Sequence, residues 1–215
     1  MDIDQALNAF TMLGARWVLW LLVALSVAGV TVAVERAVLL WTSRDDVARL
    51  QQELRRLLLL GDLERARRRL EESPSFEARI AAAGLQARGA GSAEERMAGE
   101  SVLARLKMEQ SLVYLGTLGT NAPFVGLLGT VIGVIGAFHE LGGGVGQVSA
   151  GLMVEIGEAL VATAVGLLVA LPTVAAYNLF QRVIKARLGR ADALGREVLA
   201  HFKGRDEAGA LEAAE

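Results

Sequence analysis

The sequence predicts an all-α integral membrane protein with three transmembrane helices and a helical cytoplasmic domain. Three observations predict it. First, 53% of the 215 residues are hydrophobic and mean hydropathy is +0.41, yet 21% are charged. Second, these properties are segregated: the windows 17–34, 110–138 and 159–181 contain no Asp, Glu, Lys or Arg. Each can hold a helix of about 20 residues, the length that crosses a bilayer. Third, the second window carries glycine at 126, 129, 133 and 136 around a central Thr130. In a soluble helix each such glycine would cost about 1 kcal/mol. In a membrane small residues let neighbouring helices approach closely.

In chain order, residues 1–16 form a periplasmic segment with Ile3, Leu7, Phe10 and Leu13 at helical spacing, an interfacial helix leading into the first span. MDIDQALN is acidic where a signal peptide would be basic, so the first span is expected to be retained as an anchor. Transmembrane helix 1 covers 17–41, with Trp17, Trp20 and Trp41 at its two interfaces.

Residues 42–110 form a cytoplasmic domain that holds almost all of its charge as nearly matched bases and acids. Asp45 or Ser43 can cap a helix carrying Val47, Leu50, Leu54 and Leu57, which Gly61 ends. Asp62 can cap a second, stopped at Ser73-Pro74, and a third runs from about 75 to 87. Ser92 with Glu95 makes a capping box for a fourth, which shows no stop before the second span. Arg65, Arg67, Arg68 and Arg69 alternate with glutamates and read as a solvated helix face.

Transmembrane helix 2 covers 111–138, with Pro123 near its cytoplasmic end, where proline removes a backbone bond and bends the helix. Residues 139–152 are a glycine-rich periplasmic loop, transmembrane helix 3 covers 153–180, and 181–215 are a basic C-terminal helix and tail. Lys and Arg number one in 1–16, 13 in 42–108, none in 139–151 and seven in 182–215. The positive-inside rule puts the N-terminus and glycine loop outside and the central domain and tail in the cytoplasm.

Several function classes are excluded. A net charge of −2 gives no reason to expect nucleic acid. There is no cysteine, and His139 and His201 stand far apart, so neither a disulfide nor a histidine-based metal site is expected. No Ser/His/Asp spacing, Walker A motif or GxGxxG opening a helix is present, so neither an enzyme nor a cofactor is expected. What remains are polar groups inside spans, each a functional candidate because it is costly there. Glu158 stands at the outer start of the third span, near Glu155, and Thr163 follows it; Thr130 is the counterpart in the second span. Glu158 and Thr163 are about 140° apart on a regular helix, so both cannot point along one axis.

NAPFVGLLGTVIGVIGAF followed by EIGEALVATAVGLLVALPTVAAYN resembles the paired signature of the MotA/TolQ/ExbB proton channel family, nearest its three-span ExbB and TolQ branch. The resemblance covers residues 112–180. It implies a bacterial inner-membrane homopentamer whose second and third spans line a pore. The pore would hold the single spans of an ExbD/TolR-like partner bearing an intramembrane aspartate, and a TonB-like or TolA-like protein would lie downstream. By motif position Thr130, Glu158 and Thr163 match the polar pore residues. The glycines at 126, 129, 133 and 136 read as packing within a ring of subunits. The branch reads Pro-Gly-Ile-Ala-Glu where this chain has Val154-Glu155-Ile156-Gly157-Glu158. The expected function is therefore a stator subunit of a motor driven by the proton motive force. The process energised is left open among TonB-type uptake, Tol-type envelope maintenance and gliding. The rivals are a structural membrane scaffold that oligomerises through its glycines, and a flagellar-type stator, whose branch has four spans.

Overall fold

The structure, a computed structural model, describes residues 16–142 and 150–212. The expected interfacial helix in 1–15, most of the glycine loop and the last three residues lie outside that range. Among the described residues all regular structure is helical. The helices are α1 (Arg16–Thr42), α2 (Val47–Leu59), α3 (Leu63–Glu71), α4 (Phe76–Leu85), α5 (Ala90–Glu109), α6 (Leu112–Gly142) and α7 (Ala150–Glu212). Three of them, α1, α6 and α7, contain stretches long and apolar enough to cross a membrane. The chain divides into two compact units: Met1–Val34 with Ser111–Asn178, and Glu35–Gln110 with Leu179–Glu215.

The first unit is the membrane part. Val18 and Leu22 of α1, Leu118, Ala122 and Ile132 of α6, and Val169 and Ala170 of α7 form its core. Its outward faces are apolar too, with Val27, Phe124, Leu128, Leu160 and Leu168 all exposed. A unit apolar both inside and outside suits lipid or copies of itself, not water.

The glycines of α6 decide how α6 meets α7. A Cβ on Gly126 would lie 2.8 Å from the Ala162 carbonyl oxygen and 3.0 Å from the Thr163 Cα. One on Gly129 would lie 2.6 Å from the Ala162 Cβ, and one on Gly133 2.6 Å from the Ala159 Cβ. The contact is reciprocal, because a Cβ on Gly166 would lie 2.7 Å from the Ala122 carbonyl oxygen. Backbone thus packs on backbone at Gly126 and Gly166, while alanine methyls fill the hollows at Gly129 and Gly133, an approach that a side chain at any of these glycines would prevent. At the same place Val18 of α1 joins the contact, its Cγ1 3.2 Å from where a Cβ of Gly129 would be.

The second unit is the polar part. Asp46, rather than Asp45 or Ser43, caps α2, its carboxylate accepting from the Arg49 N–H at 3.1 Å. Asp62 caps α3 by accepting from the Arg65 N–H, and Gly61 before it turns the chain at φ +73°. Ser75 caps α4 by accepting from the Ala78 N–H. The capping box expected at Ser92 does not form, since α5 already begins at Ala90 behind Gly89 with no side-chain cap. The expected run of α5 into the second span is also broken. Gln110 leaves the helix at ψ 136° and Ser111 turns left-handed at φ 64° before α6 starts.

The apolar stripes of these helices meet as amphipathic periodicity requires. Leu50, Leu54, Leu58, Leu70, Leu194 and Val198 are buried in this unit. Gly84 and Gly195 make room for Met97 between them, a Cβ on each coming within 2.7 and 3.0 Å of its sulfur. The arginine-rich face of α3 is solvated: Arg65, Arg67 and Arg68 are exposed, and Arg67 pairs with Glu71 at 2.7 Å. Two arginines behave differently. Arg187 is 3% exposed and donates to the Leu40 carbonyl and, at 3.1 and 2.8 Å, to the Ser43 carbonyl and hydroxyl. It thereby satisfies carbonyls that α1 leaves open at its end. Arg36, equally buried, donates to the Lys107 carbonyl at 3.0 Å and pairs with Glu35.

Gly126→Ala is expected to destabilise the protein by about 1–3 kcal/mol, because its new methyl meets backbone atoms that cannot rotate away. Gly157→Ala, where a Cβ meets nothing within 4 Å, is expected to be neutral or to gain up to about 1 kcal/mol. Thermal unfolding of both variants in detergent micelles checks the contrast. By the same measurement Arg187→Gln should lose about 2–3 kcal/mol by stranding buried carbonyls. The exposed Arg182→Gln should stay within about 0.5 kcal/mol of the parent.

Candidate functional site

The site lies on the membrane unit, where α6 and α7 touch most closely. Thr130 follows Gly129 on α6, and Thr163 follows Ala162 on α7. Because the two helices are drawn together at Gly126, Gly129 and Gly166, the two threonines come within reach of each other. The Thr163 hydroxyl donates to the Gly126 carbonyl at 3.1 Å and stands 3.4 Å from the Thr130 hydroxyl oxygen. Thr130 donates to the carbonyl of Leu127 on its own helix at 2.6 Å. Both side chains are half-buried, so one side of the pair stays open. A hydroxyl has one proton to give and two lone pairs to offer. With their protons directed at carbonyls, the two threonines keep lone pairs for a further donor.

Glu158 does not join the threonines. Its carboxylate takes a bidentate set of bonds from Arg16 on α1, at 2.8 to 3.1 Å. The pair is open to its surroundings, with side-chain exposures of 73% for Arg16 and 29% for Glu158. Arg16 is the lone base of the first segment, and 142 residues separate it from its partner.

Glu155, one turn earlier on α7, sits differently. Its Oε2 is shielded from solvent and has no hydrogen-bond partner among the described residues. That oxygen lies 2.6 Å from where a Cβ of Gly136 would be, so the last glycine of the seam makes room for a carboxylate. Together the four α6 glycines face Thr163, Ala162, Ala159 and Glu155 of the same chain.

A second polar feature of this unit has no counterpart in the charge-based reading. Thr117, Thr120 and Asn121 of α6, with Tyr177 and Asn178 of α7, line a groove of about 600 Å³. Thr120 and Asn121 satisfy their donors on their own helix, at the Gly116 and Thr117 carbonyls. The signal that could have found the groove was the cluster of uncharged polar residues inside a window defined only by lack of charge. Among the described residues no group of His, Asp and Glu is placed to hold a metal ion.

Residues 72–193, more than half of the chain, match the profile of the MotA/TolQ/ExbB proton channel family. Named relatives agree. The biopolymer transport protein ExbB of Xanthomonas campestris pv. campestris is 40% identical over 93 residues, 43% of this chain and 36% of the relative. The Tol-Pal system protein TolQ of Pseudomonas aeruginosa is 43% identical over 84 residues, 39% of this chain and 36% of the relative. The biopolymer transport protein ExbB of Neisseria gonorrhoeae is 42% identical over 93 residues, 43% of this chain and 42% of the relative. The matched segment thus spans less than half the length of each of these relatives. The apolar helices, the glycine seam with its threonine pair and the profile that spans them converge: this chain belongs to the MotA/TolQ/ExbB proton channel family.

Proposed function

We propose that the chain is the channel-forming subunit of an inner-membrane motor driven by the proton motive force, of the ExbB/TolQ kind. It would work as a homopentamer around a single-span ExbD/TolR-like partner whose intramembrane aspartate binds and releases the proton. The observation that carries this reading is the Thr130–Thr163 pair. Two half-open hydroxyls 3.4 Å apart stand in a unit whose core is apolar. Hydroxyls are costly in hydrocarbon unless bonded, and these two are bonded on one side only. Their free lone pairs suit the proton of a neighbouring carboxylic acid or of a water beside it. Neither threonine ionises, so the pair can guide a proton without trapping it.

Glu158 has a different part. Its pairing with Arg16 places one fixed negative and one fixed positive charge outside the threonine pair. In this reading they set the local field where protons arrive. The groove lined by Thr117, Thr120, Asn121, Tyr177 and Asn178 lies farther along the same two helices. The resemblance of the chain to ExbB and TolQ proteins supports either nutrient uptake or envelope maintenance as the process served, with a TonB-like or TolA-like protein downstream.

Thr163→Val and Thr130→Val each remove a hydroxyl at nearly constant volume. Co-reconstituted with the partner in liposomes, each variant should assemble normally and lose about tenfold in proton flux, the worth of one good hydrogen bond. A scaffold that merely oligomerises would accept the double valine variant at full activity, and that result would sink the channel reading.

Glu158→Gln should lower the flux more than Glu155→Gln. The charge-swapped pair Arg16→Glu with Glu158→Arg restores the ion pair but reverses its field. Flux in the swapped protein should stay low. Full recovery would show that only the pairing matters and remove Glu158 from the proton's route.

A further inference from the structure

In the polar unit, a cavity of about 310 Å³ is lined by Arg44, Asp45, Glu77, Arg187 and Arg190. It mixes two signs of charge, and the partners of each group can be accounted for. Asp45 is occupied: it accepts from the Ser73 hydroxyl at 2.6 Å and from the Asp46 N–H at 2.8 Å. Arg187 is occupied by the carbonyls of Leu40 and Ser43 and the Ser43 hydroxyl. Glu77 is not. It is only 2% exposed, and its Oε2 has no hydrogen-bond partner among the described residues. Glu77 lies in the first turn of α4, where the helix terminus favours negative charge, but the terminus gives this oxygen no donor. Arg44 and Arg190 are exposed and have no ion-pair partner among the described residues. Arg44 lies only over the ring of Trp41, at 5.7 Å.

The cavity therefore offers two free guanidinium groups at its rim and one buried carboxylate oxygen that lacks a donor. A bare anion fits the rim but meets Glu77. A bare cation fits Glu77 but meets the arginines. A group with a phosphate at one end and an N–H-bearing ammonium a few bonds away satisfies both. The position along the chain says where such a group comes from. Arg44 is three residues past Trp41, an interfacial residue type, and Arg187 is six residues past the uncharged window that ends at Gln181. In sequence both follow closely on an apolar stretch that can cross a membrane, on the side of the basic segments, where basic residues meet lipid headgroups.

We propose that this cavity binds the headgroup of a phosphatidylethanolamine molecule from the surrounding bilayer. Its phosphate accepts from Arg44 and Arg190, and its primary ammonium donates to the open oxygen of Glu77. Phosphatidylglycerol can satisfy the arginines but brings no cation to Glu77. Phosphatidylcholine brings a cation with no N–H to donate. The site asks nothing of the proton path and stands whether or not the channel reading does.

The test uses the full chain, purified in detergent and stripped of lipid, then offered equimolar phosphatidylethanolamine, phosphatidylglycerol and phosphatidylcholine. Native mass spectrometry reads the lipid retained. Phosphatidylethanolamine should dominate, and Glu77→Gln should weaken its retention about tenfold, to the level of phosphatidylcholine. Equal retention of the three lipids by the parent protein overturns the proposal. So does an unchanged ethanolamine preference in Glu77→Gln. If Glu77→Gln does not fold, the double variant Arg44→Gln/Arg190→Gln decides, because both residues are exposed; unaltered lipid retention there overturns the proposal equally. Soluble phosphoethanolamine displacing the lipid at equal concentration would overturn the membrane source of the ligand.

Discussion

The contact between the backbones of α6 and α7 is the constraint on which the membrane unit depends. At Gly126 and Gly166 a carbonyl oxygen of the facing helix occupies the space that a side chain would need. Without hydrophobic driving force between helices in lipid, such close packing and the hydrogen bonds it permits hold a bundle together. The seam also sets the chemistry. Thr163 reaches the Gly126 carbonyl only because that carbonyl belongs to a helix with no side chain in the way. The same approach brings the Thr130 hydroxyl alongside. Packing residues and polar residues thus alternate along one interface, each needing the other.

The polar unit solves a different problem. It must satisfy helix ends and charges buried in a protein interior, where no water reaches them. Arg187 does so for the end of α1, and Arg36 does so for the carbonyl of Lys107 near the end of α5. These are charge-assisted bonds from buried guanidinium groups, which cannot lose their charge. The surface pairs of α3 and α5 contribute little by comparison, because solvent screens them. Within this frame one oxygen of the nearly fully buried Glu77 carboxylate is left without a donor among the described residues.

Much of this architecture was legible in the sequence because it follows from local rules. Charge segregation marks three apolar helices, and the period of leucines in 47–58 marks an amphipathic one. Asp62 and Ser75 announce their helices because a cap depends only on neighbours three residues away. What failed was also local but degenerate. Asp46 outcompeted Asp45 and Ser43, three candidate caps within four residues, and Ser92 stood inside a helix that had already begun. The break at Gln110 and Ser111 carries no glycine or proline to signal it. Of the site, the residue types were legible but not their meetings. That Thr130 and Thr163 touch depends on the register of two helices. That Glu158 holds Arg16 depends on a contact across 142 residues. Neither is written in any short stretch of the chain.

A seam of glycine hollows has one more consequence. The methyls of Ala162 and Ala159 sit in the hollows left by Gly129 and Gly133 and resist sliding like teeth. Axial slip between α6 and α7 is opposed by these methyls and by the bond from Thr163 to Gly126. A slip of one helical turn, about 5.4 Å, would part the two hydroxyls entirely. The pair survives only if both helices travel together as a single plank. In the proposed motor a mechanical stroke would then be taken up outside this seam, on apolar faces such as those where Leu160 and Leu168 are exposed.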